Sequence, residues 1–502
     1  MKTAFWTGLT WAGIMLIRLF AGGTVGLADQ GDGNRLLCGF GAAVDRPWQA
    51  NVWEHVYPTW LAHSWFGETC GVEGTGEAYR STQLWLLWLA GKITPLLGLP
   101  GVIDLRALGV ICAVLVGVVV GLLAWVLPGQ WWVRTLAASA VGLVYADAAF
   151  AGFFVSPYAE PASLLGVGLL LVALLTLWRM GRATVPRVLF VSAAALFAIG
   201  SQIQLAALLV PVCLALLWLP NRRLSWWRPR WFGRTLRRLP AIVVCLALLA
   251  ATGYHLARQP ERQLEVALYD AVFGSILHDN PGAAKDLQDL GFPLAMAEEL
   301  AKAADTTLLS DNSAAATPLY TEFRAQVTLP SLIGFYAGHP AHLVRTVGWG
   351  LAAIGRLAPD YLGSYPPDAG QPSGAREHRI AVYSWLWGIF RLAPVLLVLL
   401  WVATFAVGLS TVRRRRLKAP RKAVGMLAVT VPLMIVIQFG VAMLGGRVDA
   451  VRHLTTVSFL SAICLPLLAL TLWVRLRGVR PRARLREAPG LPAVAAPDLA
   501  RR

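Results

Sequence analysis

The residues able to do chemistry in this chain fall in short polar stretches set between long apolar runs. The first reads Asp29-Gln30-Gly31-Asp32-Gly33-Asn34-Arg35. The second is Tyr145-Ala146-Asp147, followed by Ser156-Pro157-Tyr158-Ala159-Glu160. The third is Ser201-Gln202-Ile203-Gln204, and the last runs Arg447-Val448-Asp449-Ala450-Val451-Arg452-His453. A carboxylate within hydrogen-bond reach of a hydroxyl can take its proton during group transfer. Asp32 is the candidate base, because Arg35 one turn on would hold it ionised. Asp29 is the substitute. Asp is also a common helix cap, which is the plain alternative for Asp32. Asp147 and Glu160 could bind acceptor hydroxyls or a divalent cation, Mg or Mn, through oxygen ligands; paired charges or helix ends are the alternative. Ser156, Tyr158, Gln202 and Gln204 are candidate substrate contacts. Arg447, Arg452 and His453 could steady a phosphate leaving group as positioned cations, or simply snorkel to the interface. His339-x-x-His342 has helical spacing, but no third ligand is evident in the sequence and the pair is not read as a metal site.

These stretches need elements to carry them, and the composition says what kind. Of 502 residues, 57% are hydrophobic and 14% charged, where a soluble domain carries about a quarter charged residues. Apolar runs occur at about 5–27, 83–99, 103–127, 135–155, 162–178, 187–200, 203–219, 239–256, 386–410, 422–445 and 453–474, against the roughly 20 residues a spanning helix needs. The net charge of +18 is concentrated in tracts between runs: Arg179 to Arg187, Arg222 to Arg238, Arg413 to Lys422 and Arg475 to Arg486. That is the positive-inside pattern, so nucleic acid is not the partner. Anionic membrane lipids are.

Placing every basic tract in the cytoplasm fixes the parity. The loop 28–82, rich in acids, and the turn at 156–161 both lie outside, so an even number of crossings separates them. Run 83–99 is short and holds Lys92 and Pro95. It is expected to lie at the interface. Ten spans remain, with both termini cytoplasmic. Runs 187–200 and 203–219 are expected to form a tight hairpin whose short first arm is sheltered by protein or thinned bilayer. Phe5 to Leu27 could pass for a signal peptide, but Arg18 inside it argues for an uncleaved span. Arg18 must face protein or water, and the sequence gives it no role.

The expected fold is therefore an all-α polytopic membrane protein with two large extracytoplasmic loops containing juxtamembrane helices. Residues 1–256 form an N-terminal transmembrane module that includes the first loop. Residues 257–385 form an extracytoplasmic helical region, 386–475 the last spans, and 476–502 a basic disordered tail. Cys38 and Cys70 share the first outer loop and are candidates for a disulfide in an oxidising compartment, with free thiols as the alternative. Cys112, Cys213, Cys245 and Cys464 lie in apolar runs and read as fillers. Arg far outnumbering Lys, with abundant Ala and Gly, suggests a high-GC bacterium and its plasma membrane.

The pattern resembles the GT-C superfamily of membrane glycosyltransferases, and more nearly the WsfD-like hexose transferases of bacterial glycan assembly. Gly31-Asp32-x-x-Arg35 after the first helix carries the likeness. So do Asp147 with Ser156-x-Tyr158-x-Glu160, the loop stretches Phe273 to Leu290 and Phe335 to Pro340, and Arg452-His453 before the last helix. Val155 stands where that family usually has Asn, and Arg452 where it has Lys. The resemblance implies hexose transfer from a polyprenyl-phosphate sugar donor to a glycan or glycolipid acceptor, with an Asp base in the first outer loop. The rivals are a lipid-linked glycan polymerase or ligase, a transporter or flippase, and a non-catalytic assembly scaffold. A transporter should show repeats and ionisable residues near the midplane, whereas the acids here sit at one edge.

Overall fold

The computed structural model describes residues 1–29, 33–44, 57–64, 78–179, 184–218, 239–308, 310–357, 359, 362–444, 446 and 450–477. The bundle helices are α1 (Lys2–Phe20), α2 (Leu105–Val126), α3 (Trp131–Ala146), α4 (Glu160–Arg179), α5 (Val185–Ile199), α6 (Leu209–Leu217), α7 (Leu239–Ala257), α8 (Val395–Arg413), α9 (Ala419–Leu444) and α10 (Thr455–Arg477). Seven of them, α1, α2, α4, α7, α8, α9 and α10, are long and apolar enough to cross a membrane. α3 makes an eighth if it is counted with the segment Ala148–Val155, from which it is bent by 56°. The two other expected crossings, α5 and the 3-10 turn Ile203–Leu208 leading into α6, are apolar but shorter. At 15 residues, α5 rises about 22 Å, against a hydrocarbon core of about 30 Å. The two arms meet in a tight turn at Gly200–Gln202, with Thr82 N–H donating to the Gly200 carbonyl at 2.8 Å.

Lipid tails are as apolar as leucine, so helices in a bilayer are held by close approach rather than by water exclusion. Small residues provide it here. α1 and α2 cross through Gly8, Gly117 and Gly121, where a Cβ on Gly117 would sit 2.6 Å from the Gly8 carbonyl oxygen. α4 meets α5 at Gly166, whose Cβ would lie 2.8 Å from the Ala198 Cα. α8 meets α9 at Gly408, whose Cβ would lie 2.8 Å from the Gly425 carbonyl. α4 is buried almost from end to end and forms the axis of the bundle.

Three apolar runs divide where the sequence expects continuity. The first helix stops at Phe20, and Gly22 and Gly23 follow with φ of +70° and +101°. Run 135–155 breaks at Asp147, whose carboxylate caps a new turn, Ala148–Ala151. Run 386–410 breaks at Ala393–Pro394, between an amphipathic helix Val382–Leu392 and α8, because proline cannot donate to the ladder and forces its predecessor out of the helical region. Run 83–99 yields the 11-residue helix Gln83–Ile93 and then a 3-10 turn, Pro95–Leu97. A helix of that length rises only about 16 Å.

The first large loop and the residues that lead into α2 form a small antiparallel sheet that the sequence reading did not foresee. β1 (Ala42–Val44) pairs with β2 (Leu61–Ser64), and β2 with β3 (Ile103–Asp104). The register sets Ala43 opposite His63 and Leu61 opposite Asp104. The second large loop folds into a helical layer with a core of its own around Tyr269, Phe273, Leu287, Phe323, Leu332 and Phe335. The Tyr269 and Phe273 rings stack at 4.3 Å. Beyond that layer the chain returns to the bundle as a strap, residues 362–384. It is tied down by Gly26 N–H to the Ser364 carbonyl, Ala28 N–H to Gly363, and Ala148 N–H to Ile380.

Candidate active site at one end of the bundle

The polar stretches singled out in the sequence converge on one end of the bundle. The chain leaving α1 runs extended to Asp29, between the turn at 153–158 and the strap. A Cβ on Gly26 would collide with the Val155 carbonyl and the Trp60 ring, so only glycine lets these strands lie so close. Tyr158 Oη donates to the Ala28 carbonyl at 3.0 Å and pins the same stretch. Asp29 is buried, 7% exposed, and both its carboxylate oxygens lie 3.1 Å from the Gly33 N–H. Gly33 is obligatory too, since a Cβ would meet the Pro157 ring. Asp32 lies outside the described residues, bracketed by Asp29 and Gly33. Arg35 reaches out of this loop, its Nη1 donating to Gln263 Oε1 of the helical layer at 3.4 Å. Cys38 is held in a disulfide, and Cys70 lies outside the described residues.

Glu160 opens α4 and Arg452 ends the short helix Ala450–His453. Their side chains are 5% and 10% exposed, with Arg452 Nε 4.0 Å from Glu160 Oε1. The Arg452 guanidinium also lies over the Tyr158 ring, 4.7 Å from its centre, a cation–π contact. A carboxylate at the first turn of α4 suits the positive end of the helix dipole. One N–H of that turn is met from a distance: the buried Gln83 accepts from Ala162 N–H at 3.0 Å.

Sequence reasoning missed Tyr79. Its hydroxyl accepts from Ile203 N–H at 3.0 Å, and its own N–H donates to the Arg35 carbonyl at 3.0 Å. Burial pushes the phenol up to about 12, and the Glu160 carboxylate adds to this, while the Ile203 N–H, Arg35 and Arg452 pull against it. One phenol thus feels the first large loop, the start of α4 and the loop before α10 at once. In the sequence it is one tyrosine of 11, and nothing local marks it.

Several expected substrate contacts are instead engaged with backbone. Asp147 is fully buried. Its carboxylate accepts Ala149 N–H at 3.1 Å, Tyr383 N–H at 2.7 Å and Ser384 N–H at 3.2 Å, as well as the Ser384 hydroxyl. It caps two helices at once, in keeping with the helix-end alternative, and its oxygens face N–H donors. Ser156 Oγ donates to the Phe153 carbonyl at 2.7 Å and closes its own turn. Gln204 Nε2 donates to the His453 carbonyl at 3.0 Å and to Gln202 Oε1 at 2.9 Å, so this glutamine pair ties the α5–α6 turn to the last loop. Arg447 lies outside the described residues.

Arg18, without a role in the sequence, has one here. It is buried and ion-paired with Glu377 of the strap, both side chains 1% exposed, and its Nε donates to the Ala146 carbonyl at 3.0 Å. Arg379 of the strap donates to the Gly23 carbonyl at 2.9 Å. The opposite end of the bundle gathers arginines. Arg179 donates to the Trp125 carbonyl at 2.8 Å, Arg475 to Ser410 Oγ at 2.8 Å, and Arg414 to the Arg475 carbonyl at 3.3 Å.

Chemically, the first end offers buried carboxylates, a guanidinium on an aromatic face and an un-ionised phenol, at the edge of a membrane bundle. The model of a family described as the YfdI N-terminal transmembrane domain matches residues 4–484 of the chain. No curated protein and no solved structure matches it.

Proposed function

Because the chain belongs to the YfdI N-terminal transmembrane domain family, we propose that it is an integral-membrane glycosyltransferase. It moves a hexose from a polyprenyl-phosphate-linked donor to a cell-envelope glycan or glycolipid acceptor. The reading rests on one observation: Tyr79, Glu160 and Arg452 meet at one end of the bundle, with Arg452 on the ring of Tyr158, which is bonded to the chain at Ala28 next to Asp29. These residues are far apart in sequence, and ionisable groups gathered at depth in a membrane bundle are a functional-site signal.

In this mechanism the first-loop carboxylate, Asp32 with Asp29 as substitute, takes the proton of the acceptor hydroxyl. The acceptor oxygen forms a bond to the anomeric carbon as the bond from that carbon to the phosphate oxygen breaks. The phosphate leaves with the electron pair, and Arg452 and Arg35 offset its growing charge. Glu160 and Tyr158 hold the Arg452 guanidinium in place. The arginine-rich opposite end would face the cytoplasm, which puts this chemistry on the outer face of a bacterial plasma membrane with both termini inside.

The test is hexose transfer from polyprenyl-phosphate donors in membranes carrying the wild-type chain or Asp32→Asn at matched protein levels. Transfer by wild type and none by the variant supports the assignment. Equal transfer by both moves the base to Asp29. No transfer by wild type from any donor returns the polymerase and transporter readings to the front.

A further inference from the structure

The helical layer over the bundle holds a second polar constellation, remote in kind from the first. His339 sits between the helices Leu329–Gly338 and Pro340–Arg356. Its ring stacks on Phe335 at 4.2 Å, and its Nδ1 lies 2.9 Å from the Phe335 carbonyl oxygen. A carbonyl only accepts, so Nδ1 carries the hydrogen. Nε2 is left facing Asp289 Oδ2 at 3.0 Å. A proton on Nε2, giving an imidazolium paired with Asp289, or a cation between the two atoms satisfies this contact. A histidine whose Nδ1–H is fixed by a backbone carbonyl, with Nε2 turned to carboxylates, has the orientation that metal-binding histidines use.

The carboxylates come as a matched pair. Asp286 and Asp289 stand three residues apart on the helix Ala283–Asp289, opposite His339 and His342. One ligand atom from each of Asp286, Asp289 and His339 lies within 4.8 Å of the others. Asp286 is buried and oriented from behind, with Asn280 Nδ2 2.5 Å from its Oδ2. His342 plays a different part. Arg345 Nη2 lies 2.8 Å from its Nδ1, so Nδ1 accepts and Nε2 carries the hydrogen toward Asp286 Oδ2 at 3.0 Å. It steadies a ligand and is not one.

We infer that Asp286, Asp289 and His339 form a binding site for a divalent first-row metal ion, clipping the helix Ala283–Asp289 to the joint at His339. One imidazole and two carboxylates suit Zn²⁺ or Mn²⁺, and three protein ligands leave room for water. The two carboxylates that join His339 come from the helix Ala283–Asp289, about 50 residues upstream. A second trio, His278, Asp279 and Asp305, is more open, with side chains 27%, 82% and 47% exposed, and serves as the control.

The experiment uses the full-length chain in detergent, stripped with chelator and dialysed against Zn²⁺ or Mn²⁺, with bound metal quantified. Wild type should retain one equivalent of at least one of the two metals. Asp289→Asn and His339→Gln should each lower retention at least tenfold, and His278→Ala should leave it unchanged. Asp289 is partly exposed, so the asparagine variant keeps the fold, and its metal-free melting should match that of stripped wild type. Failure of wild type to retain either metal overturns the site. So does equal retention by Asp289→Asn and His339→Gln, or loss confined to His278→Ala.

Discussion

Two corners of the same bundle end hold a buried arginine and a buried acid, and they are built in opposite ways. At the strap corner, Arg18 and Glu377 are in direct contact and nearly sealed, and the neighbouring Asp147 is spent on the N–H groups of two helices. At the other corner, Arg452 and Glu160 stand 4.0 Å apart, with the guanidinium on a tyrosine face and a second tyrosine kept un-ionised close by. The first corner ties polypeptide to polypeptide through backbone donors. The second sets side chain against side chain, Arg452 with Glu160 and Tyr158, and its tyrosines tie it to the backbone at Ala28 and Ile203. Composition cannot separate them; the partners of each oxygen and nitrogen can.

The comparison can be broken by substitution. Glu377→Gln should be the most destabilising change, since leaving one partner of a buried pair uncompensated costs about 3–5 kcal/mol. The double variant Arg18→Met, Glu377→Leu should recover most of that. Thermal unfolding in detergent reads both, and a Glu377→Gln variant that melts like wild type would dissolve the strap corner as a fastening. Arg452→Gln, which breaks a looser pair, should destabilise less than Glu377→Gln and lower transfer by about 10²–10³-fold, the scale for losing one group that meets developing charge. Arg452→Lys should keep more activity than Arg452→Gln. If Arg452→Gln melts as early as Glu377→Gln, both corners are structural.

The smallest effect concerns Tyr79. Tyr79→Phe removes the acceptor for Ile203 N–H, worth about 1 kcal/mol. Its pH signature is separable. The phenol is raised from its ordinary value of 10.0 to about 12, so the folded state binds this proton more tightly than the unfolded chain does. That contribution is fully present below pH 10 and is lost as pH rises through about 12. Alkaline unfolding of wild type should therefore be steeper across this window than that of Tyr79→Phe; parallel curves would remove Tyr79 from the corner.

Apolar run length and the placement of arginine made the bundle legible, down to the exclusion of run 83–99 and the hairpin at Gly200. The breaks were not legible. A hydropathy window sums side chains and does not ask where backbone N–H groups go. That question is what makes Asp147 a cap and ends a helix at Pro394. The site was legible as a set of stretches but not as partners. Nothing in one sequence connects Gln83 to the start of α4, Glu377 to Arg18, or Asp289 to His339. Arg452 and Glu160 were found because charges are rare in apolar surroundings, and Tyr79 was missed because tyrosine at a membrane edge is common.

The buried pair between α1 and the strap also imposes a timetable on biosynthesis. Arg18 enters the membrane with the first helix, but Arg379 of the strap, which donates to its carbonyl, lies 361 residues later, and Glu377 emerges just before it. At ~5–20 residues per second, the ribosome needs roughly 20 to 70 s to cover that distance. Through that interval the guanidinium lacks its direct ion-pair partner, with only Asp147 of the later bundle able to offset its charge from nearby. That end of the bundle therefore closes last, once the strap carrying Glu377 has been made.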